Sequence, residues 1–312
     1  MILSVSRRTD IPNYYSDWFY RRLQEGFVHV RNPMNFQQVS KIPITSDVVD
    51  CIVFWTKNPE PMLSRLYELN GYPYYFQFTL NAYGKDIEPM LPSKGKVLIN
   101  TFKHLSKMIG REKVIWRYDP ILINDKYTAE YHFRYFEKLA EKLCGFTECC
   151  TISFLDFYRC MKKQMEKLGV KILSENEQKE IASTLAEVAM RYQIKMNVCT
   201  EEFDLSEQKI MPAHCIDKDL IERITGYKLK SKKDRYQRKE CGCISSIDIG
   251  MYDTCINSCT YCYANHHQDI ESKMRLHNPY SSLLYGHLVE GDRVSDRLVK
   301  SLRNIDIELF SN

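Results

Sequence analysis

The stretch Val114-Ile115-Trp116-Arg117-Tyr118-Asp119-Pro120 decides the fold. Branched and aromatic side chains from Val114 to Tyr118 favour an extended chain that packs on both faces, and Pro120 interrupts its ladder. Ala129–Leu143 follows with apolar residues at helical spacing, so a strand is succeeded by an amphipathic helix. Outward from this pair, residues 2–6, 49–55, 74–80, 149–154, 195–199 and 244–250 read as strands, and 14–24, 97–109 and 177–192 as helices. Alternation of this kind implies parallel strands joined by crossover helices. An open doubly wound sheet and a full or partial (β/α) barrel of TIM type both satisfy it. The barrel is preferred, because almost every strand run ends in polar residues: Ser6-Arg7-Arg8-Thr9-Asp10, Thr56-Lys57-Asn58, Thr79 and Asn81, Arg117 and Asp119, Asp156, and Thr200-Glu201-Glu202. In a parallel barrel such ends share one rim, which is the active-site face. Arg7, Arg8, Asp10, Lys57, Arg117 and Asp119 are therefore the candidate catalytic residues. The competing expectation is a set of solvated loops and ion pairs among these same charges.

Composition narrows the classes. The 312 residues, 44% hydrophobic and 27% charged, describe a globular chain with room for one large core or two ordinary ones. With 44 basic and 40 acidic side chains the net charge of +4 names no partner, so any nucleic-acid argument must rest on local clusters. Arg7-Arg8 has the look of a twin-arginine export signal, but Pro12, Asn13, Ser16 and Asp17 stand where such a signal needs an apolar run. No run approaches the roughly 18 apolar residues of a membrane span, so no membrane partner is expected and a cytoplasmic location is. Thiols stay reduced there, and the 12 Cys then point to metal or redox chemistry.

The densest cysteine segment holds Cys241-Gly242-Cys243 and then Cys255, Cys259 and Cys262 in C-x3-C-x2-C spacing. Three thiolates on a tight loop can bind three irons of a cubane and leave the fourth iron open to a substrate or cofactor. Zinc is the alternative, but a closed zinc site takes four ligands, and this loop would have to borrow one from His266 or Cys243.

The same spacing, with Tyr261 just before the last Cys, resembles the signature of the radical S-adenosylmethionine superfamily. The resemblance implies a [4Fe–4S] cluster on Cys255, Cys259 and Cys262 whose open iron binds S-adenosylmethionine, with Tyr261, Tyr263 and Asn265 as cofactor contacts. Tyr263 completes Cys-x-Tyr-Cys-Tyr, which is similar to spore photoproduct lyase and its relatives. In that superfamily the loop follows the first strand, whereas here it lies about 50 residues before Asn312. Ser6-Arg7-Arg8-Thr9-Asp10, Gln237-Arg238 and the Cys-rich end together resemble the DUF1848 family over nearly the whole chain. The fold so implied is a circularly permuted radical-S-adenosylmethionine-like barrel in which 247–250 is the strand that opens an ordinary member. Residues 1–227 would form its main part, 228–240 a basic connection, and 241–312 the cluster segment that completes the same domain. A Gly-Gly-Glu motif for further S-adenosylmethionine contacts is not evident. The implied chemistry is reductive cleavage of S-adenosylmethionine to a 5′-deoxyadenosyl radical, with electrons from a donor such as flavodoxin or ferredoxin.

Among the other cysteines, Cys51, Cys144, Cys149, Cys150 and Cys160 read as small hydrophobes. Cys199, Cys215, Cys241 and Cys243 read as ligands of a second site, an Fe–S cluster or zinc, against the alternative of four unconnected thiols. Geometry sets a condition: a straight strand over 244–250 would hold Cys243 about 20 Å from the rim that carries Cys255 and Cys199. Residues 228–239 carry seven basic side chains and one acidic. They read as a solvated connection; the alternative is a phosphate-binding strip with Tyr227 and Tyr236 stacking on bases. The sequence leaves the substrate open between a small molecule and a nucleic acid, and the rival function is a nucleic-acid-binding or repair-related protein with a structural Fe–S or zinc site. A metal-dependent barrel hydrolase is disfavoured, since the eight His show no H-x-H or H-x-x-x-H pair.

Overall fold

Alternation along each strand decides which side chains meet. The computed structural model describes residues 1–199, 205–239, 241–266 and 276–304. Its strands are β1 (Ile2–Val5), β2 (Phe27–Asn32), β3 (Asn35–Pro43), β4 (Cys51–Thr56), β5 (Tyr74–Thr79), β6 (Val114–Ile121), β7 (Cys149–Phe154), β8 (Lys195–Val198), β9 (Met211–Pro212), β10 (Ile247–Asp248) and β11 (Arg293–Asp296). The helices are α1 (Ile11–Tyr14), α2 (Ser16–Glu25), α3 (Glu60–Leu63), α4 (Ile99–Ile109), α5 (Ala129–Leu143), α6 (Lys162–Lys167), α7 (Glu175–Arg191) and α8 (Lys218–Thr225).

An eight-stranded parallel sheet runs in the order β10-β1-β4-β5-β6-β7-β8-β9. Leu3 and Val5 of β1, Ile52 and Phe54 of β4, Phe76 and Phe78 of β5, and Trp116 and Tyr118 of β6 point to one large core. The intervening Ile2, Cys51, Val53, Tyr75 and Ile115 point to a second. Helices α4, α5 and α7 cover the first face with Phe102, Leu105, Phe136, Leu139, Ile181 and Leu185. Their starts are fixed locally: Thr128 caps α5, and Ser174 with Glu177 forms a capping box on α7. On the second face lie Cys215, Ile216, Leu220 and Ile221 from the start of α8, with Leu229, Cys241, Cys243 and Ile244.

The sheet is not closed, which corrects the expected barrel. Its edge strands β9 and β10 have two residues each, too short to pair across a gap, and chain from 215 to 244 packs on the inner face there. Polar carboxyl ends belong to any parallel sheet and do not by themselves demand closure. The strand expected over 244–250 shrinks to Ile247–Asp248. The hairpin β2–β3 was not anticipated; with β11 it makes a separate three-stranded sheet. Among the described residues no helix is long and apolar enough to cross a membrane. The polar run Thr200-Glu201-Glu202 lies outside the described residues.

Candidate functional site

The carboxyl ends of the parallel strands open into one cavity of about 340 Å³. Arg7, Arg8 and Asp10 reach it from the end of β1, Lys57 from β4, and Arg117 and Asp119 from β6. Asp119 sits where the β6–β7 register shifts, a bulge of the kind that re-aims side chains near functional sites. Cys255, Cys259, Tyr261, Cys262, Tyr263 and Asn265 line the same cavity, and so do Cys199, Cys215, Cys241 and Cys243. Every candidate residue read from the sequence is thus brought to one place.

The charges in the wall are mostly paired. Lys57 Nζ donates to Glu88 Oε1 at 2.8 Å and to the Tyr261 hydroxyl at 2.7 Å, and Lys94 bonds the other oxygen of Glu88. Burial would raise the Glu88 pKa, but Lys57 and Lys94 outweigh it and hold the carboxyl down to about 2. The Tyr261 hydroxyl donates to Glu88 and accepts from Asn81, so the ring is fixed at its polar tip. Arg117 Nε donates to Asp119 Oδ2 at 2.8 Å, and Ser153 bonds the other oxygen. Asp10 accepts from the Lys57 amide and from Asn257 Nδ2, each at 2.9 Å, and caps α1 through the Asn13 amide. It acts as a clasp between β1, β4 and the Cys loop. Among the described residues Arg7 forms no salt bridge; its guanidinium lies 5.0 Å from the Trp55 ring centre. Arg8 lies 4.9 Å from the Tyr252 ring centre and donates to the Gly250 carbonyl.

The C-x3-C-x2-C loop is anchored at many points. Tyr15 donates to the Thr254 carbonyl, Tyr14 to Asn257 Oδ1, Asn265 Nδ2 to the Cys255 carbonyl, and the Thr260 amide to Ile87. Ser258 takes a positive φ of 50° just before Cys259. Burial pushes the Cys255 thiol up to about 12, with Asp10 and Cys262 adding to it, and raises Cys259 and Cys262 as well. No sulfur-to-sulfur contact joins these three among the described residues. The other four thiols lie closer together. Cys199 Sγ stands 3.7 Å from Cys215 Sγ, and Cys241 and Cys243 belong to the same packed cluster as Cys215. Arg117 Nη1 donates to Cys215 Sγ at 2.8 Å and the Ile216 amide to Cys243 Sγ at 3.4 Å. Hydrogen bonds from Cys199 and Cys243, with Arg117 and Arg7 nearby, pull the Cys215 thiol well below its ordinary value. Among the described residues, no three His, Cys, Asp or Glu side chains stand, as placed, in a group that could hold a metal ion.

A family model for a domain of unknown function, DUF1848, matches residues 2–264. The chain belongs to the DUF1848 family. No curated protein matches it. The matched span runs from β1 through the Cys loop of this DUF1848 member and includes every candidate residue except Asn265.

Glu88, Asp248 and Asn257 escaped the sequence reading. Asp248 accepts from Ser4 Oγ, Ser6 Oγ and the Arg7 amide, and so locks β10 to β1. Its position inside an expected strand was the available signal, since a carboxylate there needs partners on the next strand. The basic strip is exposed, with Tyr236 at 97% exposure, and it meets the cavity at Gln237 and Arg238.

Proposed function

We propose that this DUF1848 member is a radical S-adenosylmethionine enzyme, with a [4Fe–4S] cluster on Cys255, Cys259 and Cys262. The observation that carries the reading is convergence: three thiols in cluster spacing share one cavity with cations from the ends of β1, β4 and β6. The donor set fits an open-iron cubane, since three thiolates at three corners keep their sulfurs apart. It fits a lone zinc less well. His266, a residue that could lend a fourth ligand, is turned to Asp253 at 2.9 Å, and Cys243 Sγ accepts from the Ile216 amide within the cluster that holds Cys215 and Cys241. The permuted order is supported by β10, which leads into the Cys loop and sits beside β1 at the sheet edge.

Cys255, Cys259 and Cys262 would hold the cluster, which when bound would supply the one-electron reductive cleavage of S-adenosylmethionine and, through it, hydrogen-atom abstraction from a substrate. The chain's own residues bind and screen. Thr9 Oγ1 and Trp55 Nε1 belong to cavity-lining residues and are buried without a hydrogen-bond partner among the described residues, and a ligand there would satisfy both. Arg7 and Arg8, which form no salt bridge among the described residues, would hold a carboxylate of cofactor or substrate. Lys57 and Glu88 keep the Tyr261 ring on the wall, and Asp10 and Asn257 hold the loop that carries the thiols. The electron donor would be a ferredoxin or flavodoxin.

Protein prepared without oxygen and reduced with dithionite should convert S-adenosylmethionine to 5′-deoxyadenosine and methionine. Replacing Cys255, Cys259 and Cys262 with Ala should abolish this. Undiminished product in the triple variant, or a fully loaded wild type that never binds S-adenosylmethionine, defeats the reading. A nucleic-acid substrate is the second reading, favoured by the exposed strip that borders the cavity at Arg238. Steeply salt-dependent nucleic-acid binding, lost when Lys230, Lys232, Lys233 and Arg235 are replaced, would promote it.

A further inference from the structure

Four thiols from three separate segments meet on the inner face of the sheet: Cys199 follows β8, Cys215 precedes α8, and Cys241 and Cys243 precede β10. A tetrahedral zinc with bonds of about 2.3 Å to sulfur sets neighbouring thiolates roughly 3.8 Å apart. The Cys199–Cys215 separation of 3.7 Å has that spacing. The sulfurs are also furnished with the donors that bound thiolates require, namely Arg117 Nη1 on Cys215 and the Ile216 amide on Cys243. Charge agrees. Four thiolates around a divalent ion carry a net −2, and two guanidiniums, Arg117 and Arg7, lie against the group. Arg7 faces Cys215 and Cys243 as well as Asp248, so negative charge on these sulfurs would have a cation beside it.

The Cys241-Gly242-Cys243 turn is built for close approach. A Cβ on Gly242 would fall 2.3 Å from Nε2 of the exposed His214 ring, so with glycine the turn lies close to the chain next to Cys215 without displacing that ring. The short β10 removes the obstacle that a strand over 244–250 would have posed.

We propose that Cys199, Cys215, Cys241 and Cys243 form a four-thiolate site for one zinc ion, separate from the Cys255–Cys262 loop and independent of the reading above. Two of the four sulfurs are in contact and all four share one cluster, though as placed they do not enclose a common point; rotation about the Cα–Cβ bonds would bring them round the ion. The ion would pin the inner-face segments to the end of β8, on the side where the sheet is open.

The test is a metal count per chain in protein made anaerobically with iron and zinc both supplied. Wild type should carry one zinc, and so should the variant with Cys255, Cys259 and Cys262 replaced by Ala. Replacing Cys241 and Cys243 with Ser should remove the zinc and leave the iron. Should that variant fail to fold, zinc-edge X-ray absorption of the wild type decides instead, with four sulfur neighbours expected. Zinc-free wild type, nitrogen or oxygen neighbours, zinc untouched by Cys241→Ser with Cys243→Ser, or four irons retained in the triple Ala variant would each overturn the proposal. So would a Cys199–Cys215 disulfide in anaerobic protein.

Discussion

At the residue scale, His132 carries a clear pH signature. Its Nδ1 meets the Tyr118 hydroxyl at 2.8 Å and its Nε2 the Leu122 carbonyl at 2.9 Å, which fits a neutral ring that donates from Nε2. Burial lowers its pKa from 6.5 to about 4, against a small opposing effect of the Leu122 hydrogen bond. Below pH 6.5 the unfolded chain therefore takes up a proton that the fold refuses. The stabilisation is complete above that pH and is lost as pH falls toward 4, by about 3 kcal/mol. Urea midpoints of wild type should drop between pH 7 and 4.5 by more than those of His132→Gln. Equal slopes would mean that His132 is not the titrating group. Residues of this kind were partly legible. The strand-end cations were found because charge stands out against Ile115, Trp116 and Tyr118. Glu88 was not, because it lies nine residues past the end of β5, and only folding brings it between Lys57 and Lys94.

At the element scale, the Cys loop depends on how β10 meets β1. Leu3 pairs with Ile247 and Ser4 with Asp248, and two residues later the chain crosses Ser6. A Cβ on Gly250 would lie 2.0 Å from Ser6 Oγ and 2.5 Å from Ser6 Cβ. Overpacking of this sort costs about 1–3 kcal/mol, and the loop has to lift to relieve it. Gly250→Ala should therefore lower iron bound per chain while far-UV circular dichroism stays close to wild type, and Ser6→Gly in the same chain should restore the iron. Iron content that is unchanged in Gly250→Ala would show that the loop does not rely on this crossing. The sequence revealed β1, β4, β5, β6, β7 and β8 closely, because their apolar runs are continuous and bounded. It overextended β10, since Ile247 and Ile249 alternate like a strand and Ile244 lengthens the apolar run, although Ile244 belongs to the segment over the inner face. The β2–β3 hairpin stayed hidden because β3 is mostly exposed and reads as polar loop.

At the scale of the whole molecule, the strand order is displaced from the chain order. β10, late in the chain, stands before β1 in the sheet, so the segment that bears the Cys loop precedes the others in space. The chain from 300 to 304 returns to the same region. The Met1 amine donates to the Lys300 carbonyl at 2.8 Å, the Leu302 amide to Asp50 at 2.7 Å, and the Asn304 amide to the Lys228 carbonyl at 2.8 Å. Composition and periodicity pointed to one parallel architecture but favoured a closed barrel, which the structure does not form, because closure depends on edge strands that β9 and β10 are too short to supply. If the order of chain segments is incidental and their order in space is what holds the site, the ends can be moved. A permutant that begins at the exposed Tyr236, runs through the Cys loop to Asn312, and continues through a short Gly/Ser linker into Met1 and on to Arg235 keeps every strand pairing described here and gives up only the charge and two of the donor hydrogens of the Met1 amine. It should fold and bind the same iron per chain as wild type, with the Cys loop now following the first strand. A soluble, folded permutant that binds no iron would show that the 235–236 connection itself holds the site together.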